Sequence, residues 1–446
     1  MDERTRAMRV APIRPLLIKM ATPNAVAFLV QSFVSMAEVW FISRLGTSAL
    51  AAIALAFPLL MLTQMMSGGA IGGAVTSAVA RAIGAGDLVR AERLLWHALV
   101  IMVLLAGFFL LLFLLLGSEF LALLGGQGEA LDSAVSYCWV LFGGGIFIWA
   151  MSIMGAIFRG TGDMLFPARL MIAGALIQVA LTGVLVTGAF GLPQLGIVGA
   201  SISAVSTAAL LSMLFLWRLI KGPQQLKLRL RGLQFSRDLF ADIGQVALPA
   251  SLSPLLTIAT VLTLTALVGR FGEAALAGYG IGSRIEMLMI PLVFGLGAAM
   301  TTLVGVNRGA GDFERAEGIG WTGGMMAAIL SGTVGVMLAL TPQWWIPIFS
   351  TDPATFDAAK SYIQIAGPLF AFQGLGTALY FASQGASRMT WPIVATLLRV
   401  VLAVGGALLL AFTFNLGLNG IFIAAALGMV AYGGLIAVSL KMGAWR

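Results

Sequence analysis

The chain has one histidine, one cysteine and only 18 acidic side chains among its 446 residues. Each shortage excludes something. A lone Cys138 has no partner for an internal disulfide, and a lone His97 cannot build a multi-histidine metal cluster. Neither looks functional. Charged residues are 10% of the composition and hydrophobic ones 60%, which leaves too few polar side chains to cover a water-soluble globule. Short alternating strands are missing too, and with them a β-barrel. Without a nucleophile, base or metal-ligand set, the chain is not expected to be an enzyme.

What is present is apolar length. Twelve runs, the first near residues 16–42 and the last near 418–440, are each long enough to cross a hydrocarbon layer of about 30 Å as a helix. The opening "MDERTRAMRVAPIRP" is arginine-rich and lacks the small-residue cleavage pattern of a signal peptide, so the first run is expected to remain in the mature protein.

The net charge of +8 is explained by where the cations fall. Alternate connections, counted from the first, carry 21 Lys and Arg against 3 in the other set, with Arg284 and Arg399 inside spans. This asymmetry places both termini in the cytoplasm of a bacterial-type inner membrane. The "KLRLRGLQFSR" run between spans six and seven then reads as a solvated, lipid-facing cytoplasmic linker. The expected partner is the lipid bilayer and not nucleic acid, and the expected state is a monomer.

The sequence also repeats itself. "RLGTSALAA" at 44–52 answers "RFGEAALAG" at 270–278, "GAGDLVRAE" at 84–92 answers "GAGDFERAE" at 309–317, and "RGTGDMLFP" at 159–167 answers "QGASRMTWP" at 384–392. Each half holds six spans, an even number, so both start on the same side and the repeat is parallel, with a pseudo-twofold axis along the membrane normal. The expected fold is an all-α membrane protein of twelve transmembrane helices in two six-helix parallel-repeat lobes around a V-shaped central cavity. Its parts are an N-terminal lobe over 1–220, a cytoplasmic linker over 221–239 and a C-terminal lobe over 240–446. Fifty-five glycines let membrane helices approach closely, and "SGGAIGGAV" sets Gly68 with Gly72 and Gly69 with Gly73 at helical spacing.

Two acids stand deep in apolar runs: Glu38 in "SFVSMAEVWFISRLG" and Glu286 in "GSRIEMLMIP". A charge inside a span costs about 3 kcal/mol on the mildest scales, so such residues usually face a cavity or a partner. A carboxyl in a low-dielectric pocket loads and releases a proton nearer neutral pH. If a cationic substrate competes with that proton, one expels the other, which is antiport. Glu286 and Arg284 are two positions apart and point to different helix faces. They belong either to the substrate cavity or to structural ion pairs, and Met36 and Met287 are candidates for a soft, adaptable cavity wall.

These motifs, "EVWFISRLG", "ALAAIALAFPL", the paired "GAGD", "FRGTGDMLFP" and "GYGIGSRIEMLMIPLVFGLGAAMTTLVGVNRGAGD", resemble the multidrug and toxic compound extrusion (MATE) family over nearly the whole chain, and its DinF-like branch most. The resemblance implies export of lipophilic organic cations by alternating access, without a cofactor, coupled to protons or sodium. It puts Glu38 at the coupling acid of span one. Gln178 stands at the family's asparagine position, Thr182 at its aspartate and Ala204 at its threonine. A dehydrated sodium ion needs several oxygens, whereas a proton needs one carboxyl. With the aspartate replaced, proton coupling through Glu38, Gln178 and Thr182 is expected, sodium being the alternative ion. A lipid-linked precursor flippase of the same superfamily is the rival function.

Overall fold

The computed structural model describes residues 2–222, 226–229 and 234–446, apart from the side chains of Met287 and Leu288. All regular structure among the described residues is helical. A short α1 (Glu3–Val10) precedes the first lobe. That lobe comprises α2 (Ile13–Ser43), α3 (Thr47–Gln64), a π-helical stretch (Met65–Ile71) leading straight into α4 (Gly72–Gly84), α5 (Leu88–Leu123), α6 (Gly128–Gly143), α7 (Gly145–Gly160), α8 (Leu165–Thr187) and α9 (Gly196–Lys221). The second lobe comprises α10 (Arg237–Gly269), α11 (Glu273–Gly309), α12 (Phe313–Leu340), a short α13 (Pro342–Trp345), α14 (Pro353–Ala366), α15 (Phe370–Gly385), α16 (Thr390–Val400), α17 (Gly406–Leu408) and α18 (Gly417–Lys441). Eleven continuous helical segments are long and apolar enough to cross a membrane, and α6 with α7, bent by 52°, makes a twelfth.

Local chemistry explains why the repeat reproduces the same turns. In both "GAGD" copies a glycine takes positive φ, +76° at Gly86 and +80° at Gly311, a conformation open to residues without a Cβ. The aspartate that follows caps the next helix. Asp87 accepts the Arg90 N–H at 2.8 Å and Asp312 accepts the Arg315 N–H at 3.0 Å, each contributing about 1 kcal/mol.

The second spans differ by one residue: 38 from Thr47 to Gly84 against 37 from Glu273 to Gly309. The repeat offset accordingly changes from 226 at Arg44/Arg270 to 225 at Gly84/Gly309. The extra residue is taken up by the π-helical turn at Met65–Ile71, the usual way a helix absorbs one residue. The "SGGAIGGAV" glycines straddle this turn, which alters the simple four-residue facing expected of them.

The lobes meet through glycine. A Cβ on Gly84 would lie 2.0 Å from the Val306 carbonyl oxygen, and one on Gly309 would lie 2.1 Å from that of Arg81. Positions 81 and 306 are repeat mates, as are 84 and 309, so this contact is self-complementary about the pseudo-twofold axis. Nearby, Ser77 donates to the Gln384 carbonyl at 2.5 Å and Thr302 to the Arg159 carbonyl at 2.9 Å. Asn307 donates to the Met8 carbonyl at 3.2 Å. Asp242 of α10 is gripped by Arg81 at 2.5 Å and Arg90 at 2.8 Å. All described hydrogen bonds between the lobes lie in the half nearer the arginine-rich loops, so the structure is closed there.

Some expectations change. Arg81 and Arg159, counted from the sequence among the 21 cations of the connections, sit in the last turns of α4 and α7. The linker is not wholly solvated. Leu226 is fully buried, Trp96 donates its indole N–H to the Arg229 carbonyl at 3.1 Å, and Glu92 accepts the Lys227 N–H at 3.2 Å.

Candidate functional site

Glu38 sits about one and a half turns from the end of α2 at Ser43, within reach of Tyr137 of α6. The Tyr137 hydroxyl donates to Glu38 Oε1 at 2.8 Å, and Tyr137 is itself buried. No described cation lies within ion-pair distance of Glu38. The hydrogen-bond partner of the carboxyl is therefore a neutral donor.

Helix α8 packs on the same face of α2, with Gly183 against the Phe41 ring. Next to it, Thr182 donates to Ser203 Oγ at 2.8 Å, and Ser203 donates to the Gln178 carbonyl at 2.9 Å. Thr182 and Gln178 are thus joined through Ser203 of α9, one residue before Ala204. No described hydrogen bond connects this trio to Glu38, so the sequence-derived set divides into two neighbouring groups. Tyr137 and Ser203 were not singled out by sequence reasoning. A signal for Tyr137 does exist: it is one of five tyrosines and recurs at the repeat offset as Tyr362.

In the second lobe the Tyr362 hydroxyl donates to Glu286 Oε2 at 2.7 Å. Glu286 borders a cavity of about 30 Å³ with Val293, Ser331, Gln373 and Thr377, room for one or two waters. Ser331 Oγ and Gln373 Oε1 have no hydrogen-bond partner among the described residues. Arg284 is exposed, and no ion pair among the described residues includes it or Glu286. Met36 is exposed, at 63%, and the Met287 side chain lies outside the described residues.

Between the lobes, a cavity of about 10 Å³ is bordered by Gly73, Thr76 and Arg159 on one side and Phe294, Thr301 and Phe381 on the other. Arg159 is buried, and its guanidinium has neither a carboxylate nor a hydrogen-bond partner among the described residues. No group of three metal-ligating side chains is found among the described residues.

Up to twelve membrane-spanning segments in a duplicated bundle, with a half-buried acid hydrogen-bonded to a tyrosine inside each lobe, define a multi-pass membrane protein of the transporter class. The MatE family profile matches residues 23–184 and 249–409, one block in each lobe, and the chain belongs to that family. It is similar to the probable multidrug resistance protein NorM of Thermotoga maritima, 27% identical over 425 residues, 95% of this chain and 90% of that one. It is equally similar, 27% over 394 residues, 88% of this chain and 86% of the relative, to an FAD transporter of Shewanella oneidensis. Its fold matches a MATE protein crystallised in complex with MaD3S, with a TM-score of 0.91, 24% identity and coverage of 100% of this chain and 98% of the other.

Proposed function

We propose that this transporter exports lipophilic organic cations in exchange for protons by alternating access, with the arginine-rich closed face toward the cytoplasm and Glu38 as the proton-loading carboxyl. The Glu38–Tyr137 hydrogen bond carries the reading: an acid inside a span with a neutral donor and no described counter-cation. A proton arriving at such a carboxyl neutralises it and removes its hold on a cationic substrate. The Thr182–Ser203–Gln178 trio offers hydroxyl and carbonyl oxygens but no second carboxylate, which favours a proton over sodium.

Purified protein in liposomes, given an imposed pH or sodium gradient and a panel of lipophilic cations, tests this. Efflux driven by the pH gradient and lost in Glu38→Gln is the expected result. A sodium jump that drives transport at fixed pH overturns the choice of ion. A second reading, export of an acidic flavin dinucleotide, is favoured by the Shewanella relative and by the uncompensated Arg159 between the lobes. Including FAD in the same panel separates the two.

A further inference from the structure

The start of α10 belongs to the second lobe by sequence repeat, yet its contacts tie it to the first. His97 of α5 is fully buried. Its Nδ1 lies 2.8 Å from the Arg93 carbonyl, and its Nε2 accepts the Ser236 N–H at 3.0 Å. The partners require the proton to be on Nδ1. Ser236 is the residue immediately before α10. The imidazole also meets the Phe240 ring edge-on at 4.5 Å and the Phe235 ring at 5.5 Å. One turn further, Asp242 bridges Arg81 and Arg90. Leu239, Ile243, Val246 and Ala247 join the large apolar core, which holds residues of α4 and α5 together with residues of α11 and α15, so the tie to the first lobe is carried by the His97 and Asp242 contacts.

Further along, the allegiance changes. Leu264, Leu267 and Val268 pack in a separate core with Tyr279, Tyr362 and Phe422 of the second lobe. Between these stretches stand Pro249 and Pro254. Each lacks an N–H, so the carbonyl four residues earlier loses its helical donor and the helix is weakened against bending. One of those carbonyls, at Ala250, is taken instead by the Tyr380 hydroxyl of α15 at 3.1 Å.

We infer that α10 is a hinge helix. Its stretch before Pro249 travels with the first lobe, its stretch after Pro254 travels with the second, and the bend that opens the arginine-rich side falls at Pro249–Pro254 and not in the linker. The described linker residues Lys227, Arg229 and Ser236 are then docked cargo of the first lobe, held by Glu92, Trp96 and His97. This inference rests on the alternating-access reading, and its test separates the two.

With Cys138, the only native cysteine, replaced by alanine, two disulfide pairs are compared. Ala80→Cys with Gly305→Cys spans the seam, where a Gly305 Cβ would lie 2.8 Å from that of Ala80. His97→Cys with Phe240→Cys joins α5 to the first turn of α10. Oxidising the seam pair is expected to arrest transport, whereas oxidising the α5–α10 pair is expected to leave at least half of the reduced rate. Equal arrest by both overturns the hinge.

Hydrogen exchange probes the same bend without any need for transport. When Gly84→Ala forces the seam apart, amides over 248–256 are expected to gain exchange while those over 237–243 stay protected. Equal deprotection of both stretches overturns the hinge even if the transported substrate proves to be something else.

Discussion

Each lobe holds one half-buried acid by one tyrosine, but the two lobes do it differently. Tyr137 and Tyr362 are repeat mates, 225 residues apart. The acids are not. By the local offset of 226, Glu38 answers to Leu264, a buried core residue, and Glu286 answers to Leu60. The phenol of the fourth span thus grips a carboxyl from the first span in one lobe and from the second span in the other. The two copies share the donor and the scaffold, while the acceptor stands on the first span of one and the second span of the other. A donor fixed by backbone geometry serves any acid that reaches it, so the lobes share architecture without sharing chemistry.

The largest expected effect tests whether that difference is functional. Glu38→Gln should lower pH-driven efflux the most, at least about 100-fold, because an amide cannot load and release a proton. Glu286→Gln should stay within about 3-fold of wild type, a change of under 1 kcal/mol. Equal loss in proteoliposome assays would erase the functional asymmetry. Next in size is the seam. Gly84→Ala or Gly309→Ala inserts a methyl against backbone and should weaken closure by about 1–3 kcal/mol, read as increased labelling of a cysteine replacing Thr76, which is buried beside the cavity between the lobes. Because the two contacts are symmetric, the two variants should match.

Removing one donor at a time sharpens the comparison further. A hydrogen bond to a charged group contributes about 1.5–3 kcal/mol. Tyr137→Phe should therefore cut transport about tenfold with little change in melting. Tyr362→Phe should lower the melting temperature and spare transport. The smallest effect concerns a turn. Ser387 holds φ +56° where its mate Gly162 holds +79°, a left-handed conformation that costs a non-glycine residue about 1–2 kcal/mol. Glycine's greater freedom in the unfolded chain offsets part of this, so Ser387→Gly should gain about 0.5 kcal/mol, seen as a small rise in thermal stability.

The span count, the repeat and the two intramembrane acids were legible in the sequence because hydropathy and charge are local properties. The hydrogen-bonded partners were not. Tyr137 lies 99 residues from Glu38, and its hydroxyl reaches the carboxyl through the tertiary arrangement of α6, which packs on α3, α5 and α9. Ser203 escaped notice beside Ala204, since one position along a helix turns a side chain by about 100°. His97 carried no signal of its own, being an isolated histidine whose partners are a backbone carbonyl and a backbone N–H. The π-helical turn left a trace, a one-unit change of repeat offset, visible only once both copies were laid side by side.

Arg159 carries a consequence for energetics. Its guanidinium is shut between the lobes without a compensating negative group among the described residues, and an ion stripped of water in this way raises the free energy of the arrangement that encloses it. Parting the lobes readmits solvent and relieves that stress, so the sealed form is cocked: the glycine seam and the Asp242 grip hold shut a joint that its own trapped charge pushes open.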